Sequence, residues 1–441
     1  MEFEHEGVAA FPSTAARGPL RLSHVAAVAA GNGLEFYDFL VYANFAIYIG
    51  RAYFPVHGAV ASLLLSLATF GIGFVTRPIG GLVLGRLGDR IGRKPAMLIS
   101  FALMAVGLLG LAVTPTYAQI GIGAPILAVI FRLIQGFALG GEVGPSTAYL
   151  VEAAPTHRRG LMGAMQNTSQ GLAMLAASGA GVALSFMMSP SSLASWGWRL
   201  AFLLGLLIVP FGLMVRRSLP DTPAHLTAPA PQAGAARIPW RLVALSVLIL
   251  ASGTINTYVN TYMVTFAMDT LHLPARSAFS VGLVNGATVA VFGTLGGWLS
   301  DRFGRRTVMI PAACIGVALT LPAYWLLIAH PSAVVLDLAM ASVMIPTAVA
   351  GGVMLVAITE SFPFRMRCLA VGLIYATAIA VFGGTTQFMV GWLIHAFGQP
   401  LVPAYYRMMA SVIGILAMVS LPESAPAKLS PMPGALLAGA A

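Results

Sequence analysis

The chain has 441 residues, of which 58% are hydrophobic and only 9% are charged, with a net charge of +10. A soluble domain carries about 25% charged residues, so lipid rather than water must cover most of this surface. A strong positive charge in a soluble protein would suggest a nucleic-acid partner. Here the basic residues stand in short loops between apolar runs, which indicates orientation in a membrane and excludes nucleic acid.

Apolar runs of membrane-spanning length recur along the whole chain, and a span needs about 20 mostly apolar residues. We predict an all-α membrane protein with twelve transmembrane helices. In chain order they cover residues 24–49, 60–86, 95–114, 123–151, 160–187, 198–217, 241–267, 277–300, 307–328, 334–358, 368–394 and 401–421.

The longest polar connection lies near the middle of the chain and is rich in Pro and Ala. It predicts two helical bundles of six helices each. The expected divisions are a cytoplasmic N-terminal segment (1–22), an N-terminal bundle (23–218), a cytoplasmic linker (219–240), a C-terminal bundle (241–422) and a cytoplasmic tail (423–441). Residues 1–19 lack a basic-then-apolar pattern, so we expect the first helix to act as its own insertion signal.

The distribution of basic residues predicts that both termini are cytoplasmic. With residue 1 inside, eighteen of the 24 Lys and Arg residues fall in cytoplasmic segments. Four fall on the outer side, namely Arg51, Arg199, Arg276 and Arg407, and two fall inside helices, Arg77 and Arg132. Positive charge is enriched in cytoplasmic loops of membrane proteins, which supports this orientation and an even number of helices.

Three cytoplasmic segments of the first half recur in the second half. The run GRLGDRIGRK at 85–94 reappears as GWLSDRFGRR at 297–306. Glu152, Pro155 and Arg159 recur as Glu360, Pro363 and Arg367, and the segment 219–222 recurs as 421–424. Matching loops in matching order indicate two parallel repeats related by a pseudo-two-fold axis along the membrane normal.

Ionisable residues inside predicted helices are costly and therefore informative, since a charge at the bilayer centre costs at least about 2.5–3.5 kcal/mol. Glu35 and Asp38 stand three residues apart on one face of the first helix, and Glu35 lies roughly 17 Å into it. We interpret them as a proton-coupling pair; the alternative is a structural ion pair with a neighbouring Arg. Arg77 is also near the midplane, where it either binds a substrate carboxylate or neutralises one of these acids.

The fourth, seventh and eleventh helices supply further candidates for substrate binding. In the fourth, Arg132 and Gln135 share one stripe. The seventh holds many polar residues within ten positions, so one face is expected to line a wet cavity, although packing through small polar residues is an alternative. The candidates in the seventh and eleventh helices are Asn256, Tyr258, Asn260, Tyr375 and Gln387.

The charged cytoplasmic loops are predicted to act as gates, whose ion pairs bridge the halves when that side is closed. The gating residues are Asp89, Arg90, Arg93, Glu152, Arg159, Asp301, Arg302, Arg305, Glu360 and Arg367. The alternative is anchoring by positive charge alone. No nucleophile–base set, phosphate loop or metal cluster is visible, and Cys314 and Cys368 are far apart, so we expect no enzymatic activity, cofactor, metal site or disulfide framework.

The repeated loops resemble the signature of the major facilitator superfamily. GNGLEFYDF at 31–39, TRPIGG at 76–81 and RLIQG at 132–136 are similar to motifs of its metabolite–proton symporter family, whose members carry citrate, α-ketoglutarate, shikimate, proline or betaine. The resemblance implies proton-coupled uptake of a small solute, which we expect to be an anionic organic acid, by a monomer in contact with lipid in a bacterial inner membrane. A zwitterionic osmolyte is the first alternative, although the tail lacks the charged coiled coil of the osmosensing members. A non-transporting membrane sensor is the second.

Overall fold

The computed structural model describes residues 32–33, 36–56, 58–91, 93–140, 150–151, 154–206 and 239–429, and every regular element in these ranges is helical. In the first half the helices are α1 (36–44), α2 (Ala46–Tyr53), α3 (Ala59–Ile72), α4 (Arg77–Ile91), α5 (Arg93–Val113), α6 (Gly123–Leu139), α7 (Arg159–Met187) and α8 (198–206). In the second half they are α9 (Trp240–Asp269), α10 (Ala275–Phe303), α11 (Arg305–Ala329), α12 (Ala333–Ser361), α13 (Phe364–Ala378), α14 (Gly384–Phe397) and α15 (Val402–Ser420).

The described residues include eight helical stretches that are long and apolar enough to cross a membrane, together with two shorter apolar helices, Leu98–Val113 and Gly123–Leu139. The chain is therefore an all-helical, multi-pass membrane protein. Sequence boundaries agree closely with the structure where helices are uninterrupted: the predicted helix 334–358 is α12, and the predicted helix 307–328 is α11.

Among the described residues, three of the predicted continuous helices are interrupted, and the predicted helix 24–49 is divided at Phe45, between α1 and α2. The predicted helix 60–86 breaks at residues 73–76, where the Arg77 N–H bonds to the Phe74 carbonyl only three residues back, at 3.2 Å. Pro78 follows directly; a proline has no N–H and clashes with the carbonyl four residues before it, so it belongs in the first turn of a new helix. The predicted helix 368–394 is interrupted by a π-helical turn, Ile379–Gly383, which separates α13 from α14.

The first and second halves of the chain meet mainly along three helix pairs, α7 with α10, α3 with α14 and α7 with α12. At the first pair the backbones come so close that a Cβ on Gly286 would lie 2.6 Å from the Leu175 amide nitrogen and 2.8 Å from the Gly171 carbonyl oxygen. At the second pair a Cβ on Gly71 would overlap the Gly384 carbonyl oxygen. Small residues permit this close approach, because helices in lipid associate mainly through direct backbone packing.

Candidate functional site

The polar centre of the first half connects α1 with α6. Gln135 donates from Nε2 to Asp38 Oδ1 at 3.1 Å, and Arg132 donates to Gln135 Oε1 at 2.9 Å. Arg132 and Asp38 form a loose ion pair of 3.9 Å, and Asp38 Oδ2 has no hydrogen-bond partner among the described residues. All three side chains are buried. Asp38 and Arg132 are thus linked through the Gln135 side-chain amide and not by a bidentate salt bridge.

Two buried guanidinium groups rest on aromatic rings beside this centre. The Arg132 guanidinium lies 4.5 Å from the Tyr42 ring centroid, and the Arg77 guanidinium lies 4.4 Å from the Phe74 ring centroid. The Nε atom of each arginine has no hydrogen-bond partner among the described residues. Stacking fixes the plane of a guanidinium and leaves its edge donors available for a carboxylate.

Tyr258 of α9 brings the second half into contact with these residues. Its ring centroid lies 5.3 Å from that of Phe39, 6.1 Å from that of Phe70 and 5.7 Å from that of Phe74. Two of these rings also contact the arginines, since the Arg77 guanidinium lies 4.4 Å from the Phe74 centroid and the Arg132 guanidinium lies 5.4 Å from the Phe70 centroid. We call Phe39, Phe70, Phe74 and Tyr258 the aromatic cluster; it joins the two halves at their centre.

The polar residues of α9 are divided between two faces. Tyr258 points toward the first half, whereas Asn256 donates to Ser411 Oγ at 2.9 Å and Asn260 Oδ1 accepts from Arg407 at 2.6 Å, both within the second half. Residues two apart on a helix are turned by about 200°, which accounts for the division. Tyr258, and not the two asparagines, therefore borders the contact between halves.

The remaining predicted binding residues lie on α13 and α14. Tyr375, on α13, is partly buried against the hydrophobic core that includes Tyr258. Gln387 is buried, and neither its Oε1 nor its Nε2 has a hydrogen-bond partner among the described residues. Glu35 lies outside the described residues, so the predicted proton-coupling pair is represented here by Asp38 alone.

A contact between the halves is formed at one end of the molecule by Asp301, near the end of α10. Its two carboxylate oxygens accept the N–H groups of Gly160 at 2.7 Å and Leu161 at 2.9 Å, in the first turn of α7. A helix N-terminus carries unpaired N–H groups and a partial positive charge, so a carboxylate is well placed there. At the opposite end Phe45 contacts Phe279 with ring centroids 5.0 Å apart. The halves thus touch at both ends and at the centre.

The arginine of the second repeated loop forms its ion pairs within the second half. Arg305 binds Glu360 through two hydrogen bonds of 3.0 Å and Asp301 through one of 2.9 Å. Glu423 accepts the N–H groups of Arg305 at 2.9 Å and Arg306 at 3.1 Å. Arg305 therefore positions Asp301 and does not itself pair with a carboxylate of the first half among the described residues.

The other predicted gating residues occupy varied positions. Arg302 is exposed and stacks on Trp298 at 4.5 Å, and Arg90 is also exposed. Arg159 and Arg367 are buried, and Arg367 donates to the Phe362 carbonyl at 3.2 Å. Glu152 and the side chains of Asp89 and Arg93 lie outside the described part of the chain.

One arginine was assigned wrongly from sequence. Arg407 was counted with the outer-side residues, but the structure buries it within α15 at 1% exposure. Its position only five residues into the helix accounts for the error. Ala404, Arg407, Ser411 and Gly414 are all buried, or nearly so, at spacings of three and four, and this stripe of small and polar residues would have indicated a buried face.

Comparison with known proteins agrees with this architecture. The family model of the Major Facilitator Superfamily matches residues 29–384. The chain belongs to the major facilitator superfamily. Its superfamily is one of transporters, so the protein is a transporter and not an enzyme, as predicted.

Relatives within the superfamily cover nearly the whole chain. A citrate-proton symporter of Klebsiella pneumoniae is 35% identical over 409 residues, which is 91% of this chain and 92% of the relative. The alpha-ketoglutarate permease of Escherichia coli (strain K12) is 32% identical and spans 91% of this chain and 94% of the relative. A proline/betaine transporter of Salmonella typhimurium is 29% identical over 92% of this chain and 84% of the relative. The resemblance to the metabolite–proton symporters of the superfamily is thereby confirmed.

The fold is also similar to that of a solved transporter. A crystal structure of a D-xylose-proton symporter superposes with a TM-score of 0.76 at 20% identity, and covers 92% of this chain and 98% of that one. At this level of identity the similarity concerns the fold alone. It agrees with an all-helical transporter scaffold in which α7 meets α10 and α3 meets α14.

Proposed function

We propose that the protein couples proton entry to the uptake of a small organic acid, a di- or tricarboxylate, by alternating access. It does so as a monomer in a bacterial inner membrane, with both termini cytoplasmic and with lipid around its twelve helices. The two six-helix bundles are residues 23–218 and 241–422, and residues 219–240 join them. The observation that carries the proposal is the pair of stacked arginines, Arg77 and Arg132, which lie against Phe74 and Phe70, two rings that also contact Tyr258 where the halves meet.

A carboxylate substrate is supported by the chemistry of these groups. Guanidinium edges bind carboxylates through two parallel hydrogen bonds, and such charge-assisted bonds are roughly twice as strong as neutral ones. The Nε atoms of Arg77 and Arg132 supply donors of this kind. The relatives named for citrate and for alpha-ketoglutarate agree with an anionic substrate.

Proton coupling is assigned to Asp38, with Glu35 as the proposed second member. The Asp38 carboxylate is held only by a hydrogen bond from the Gln135 side-chain amide and by a loose ion pair with Arg132. A substrate carboxylate that binds Arg132 would replace Asp38 as the counter-charge of this arginine. Asp38 would then have no ionic partner and would accept a proton. Binding of substrate and proton would thus favour each other, which is the requirement for symport.

The test uses the purified protein in liposomes with labelled citrate and labelled α-ketoglutarate. Asp38→Asn is expected to abolish accumulation driven by a pH gradient while it retains substrate exchange at equal pH. Asp337→Asn, which alters a carboxylate on α12 that bonds Ser280 within the second half, is the matched control and should leave both activities intact. Full pH-driven accumulation by Asp38→Asn would refute the assignment of the proton to this residue.

A zwitterionic osmolyte is the second candidate, and the aromatic cluster is the observation that favours it. Aromatic rings arranged around one point bind quaternary ammonium groups by cation–π attraction. However, Arg77 lies over two of these rings, with its guanidinium 4.4 Å from the Phe74 centroid and 5.8 Å from the Phe39 centroid. Its charge would repel an ammonium group, so the organic acid is the stronger candidate. Saturable uptake of betaine with no uptake of either acid would reverse this order.

A further inference from the structure

Arg407 is a fully buried cation whose direct partners are neutral. It donates to Asn260 Oδ1 and to Thr347 Oγ1, each at 2.6 Å. The hydroxyl of Tyr324, on α11, is a further neutral neighbour of the guanidinium. These partners belong to α9, α12 and α11, and all of these helices are described over their whole length.

No carboxylate forms an ion pair with Arg407 in the described part of the chain, in contrast to Arg132, which has Asp38, and Arg305, which has Glu360. Transfer of an isolated charge into a low-dielectric interior is very costly unless a counter-charge accompanies it. An arginine cannot relieve this cost by releasing its proton under ordinary conditions. The structure around Arg407 therefore calls for an anion that none of the described residues supplies.

A small cavity lies beside the guanidinium in the middle of the second half. It has a volume of about 20 Å³ and is lined by α9, α11, α12 and α15. Roughly 10–15 Å³ is enough to hold one water molecule, so the cavity admits one small species and no organic acid. Its polar lining residues are Ser252, Asn256, Thr347, Arg407 and Ser411.

The orientation of the lining groups suits an anion. The Ser411 hydroxyl oxygen accepts the Asn256 amide at 2.9 Å, so its own hydrogen is directed elsewhere. Thr347 Oγ1 donates to the Val343 carbonyl at 2.7 Å and accepts from Arg407, which fixes the guanidinium at the cavity wall. Arginine and a serine hydroxyl are donors of the kind that bind a spherical anion, and the cavity wall carries no carboxylate to repel it.

We propose that this cavity is a halide-binding site, which takes chloride in the cell as the counter-ion of Arg407. A halide is only slightly larger than a water molecule, and unlike water it neutralises the charge. The site lies inside the second half and is separate from Arg77 and Arg132, so it does not depend on the proposed substrate. Its role is to stabilise the packing of α15 against α9 and α12.

Thermal unfolding of the purified protein in detergent tests the site, with tryptophan fluorescence as the signal. Chloride or bromide is titrated into a gluconate buffer of constant ionic strength. A ligand of the folded state raises Tm in a saturable manner, so both halides should do so for the wild-type protein. Identical melting curves in gluconate and in chloride would overturn the proposal, as would a Tm that citrate raises while chloride does not.

Variants distinguish the site from a general salt effect. Arg407→Gln is expected to abolish the halide-dependent rise in Tm. Arg199→Gln is the control, since it removes a hydrogen-bonded arginine of the first half, which donates to the Ser195 and Thr114 carbonyls and does not line the cavity, and it should retain the full rise. If Arg407→Gln does not fold, Ser411→Ala provides the same information. Loss of one hydrogen bond should raise the apparent halide Kd about three- to tenfold, and an unchanged Kd would refute the site.

Discussion

The Asp301 carboxylate of the second half accepts the Gly160 amide of the first half at 2.7 Å, and so joins two helices from different halves at one end of the molecule. Its second oxygen accepts the Leu161 amide at 2.9 Å. This bond must break if the halves are to separate at that end. Arg305 binds Asp301 and is itself bound by Glu360, so Asp301 is held firmly within the second half. Its hydrogen bonds to the first half are the ones that can separate.

Asp301→Asn should shift the molecule toward conformations open at this end. The amide retains one acceptor oxygen but turns an NH₂ group toward a backbone N–H, and the charge at the α7 N-terminus is lost. Hydrogen bonds to charged groups contribute about 1.5–3 kcal/mol, which corresponds to a shift in population of tenfold or more. Distances between spin labels at the exposed positions His157 and Phe303 would report this shift in population. Asp337→Asn is the control. Equal distance distributions in the wild type and both variants would show that the Asp301 contact does not hold the halves together.

Arg77→Lys should raise the KM for the organic acid about tenfold with a smaller effect on kcat. A lysine keeps the charge but loses the planar fork and the stacking on Phe74, so a bidentate contact becomes a single one. The measurement is initial uptake rate against substrate concentration in liposomes. Arg199→Lys, a stacked arginine remote from the site, should leave KM unchanged. A normal KM in Arg77→Lys would make Arg77 structural.

Gly286→Ala should destabilise the protein, because the added methyl group would meet backbone atoms of α7 at 2.6 and 2.8 Å that cannot move independently. Overpacking of this kind costs about 1–3 kcal/mol. Gly179→Ala on α7 is the matched control, since its methyl group would lie 3.8 Å from the Leu283 side chain, an ordinary contact. Thermal unfolding in detergent compares them, and an equal Tm for both variants would show that the helices do not need this close approach.

Glu423→Gln should lower stability at neutral pH but not in acid. Burial acts to raise the pKa of Glu423, but hydrogen bonds from the N–H groups of Ala425, Arg305, Arg306 and Ser424 outweigh it and lower the pKa. Because the folded-state pKa is depressed, the stabilisation is complete above the ordinary glutamate pKa of about 4.3 and is lost as pH falls through the lower value. The difference in Tm between wild type and variant should therefore shrink below about pH 4.

The control for this pH dependence is Thr307→Ala, which removes a hydrogen bond from Lys428 that involves no carboxylate and keeps the Glu423 carboxylate. Its deficit relative to wild type should stay constant over the same pH range. A Glu423→Gln deficit that is independent of pH would contradict the assigned role of the carboxylate charge.

Much of the scaffold was predictable because apolar length and basic loops are properties of single segments. The boundaries of α11 and α12 followed from them within a few residues. The interruptions did not, since the π-helical turn at Ile379–Gly383 depends on packing against α9 and leaves no mark in hydropathy. In the site, Asp38 and Arg132 stood out as charges inside apolar helices, and the structure places them together.

The polar residues of α9 show the limit of reasoning from composition. Their density indicated a wet surface, but density does not specify direction. The helical angle between Asn260 and Tyr258 already implied two faces, yet only tertiary contacts reveal that one faces Arg407 and the other faces Phe39. Arg407 itself was missed because a charge near a helix end resembles a residue of the adjoining loop.

The aromatic cluster has a consequence for energy conservation. The four rings are closely packed, with centroids 4.6 to 6.1 Å apart, and leave little room for a file of water, so we expect that protons do not cross this contact without the co-substrate. A cell would therefore be able to carry many copies of this protein without losing its membrane voltage through proton leakage. We expect Tyr258, as the ring contributed by the opposite half, to move away from Phe39 and Phe74 when the halves rearrange.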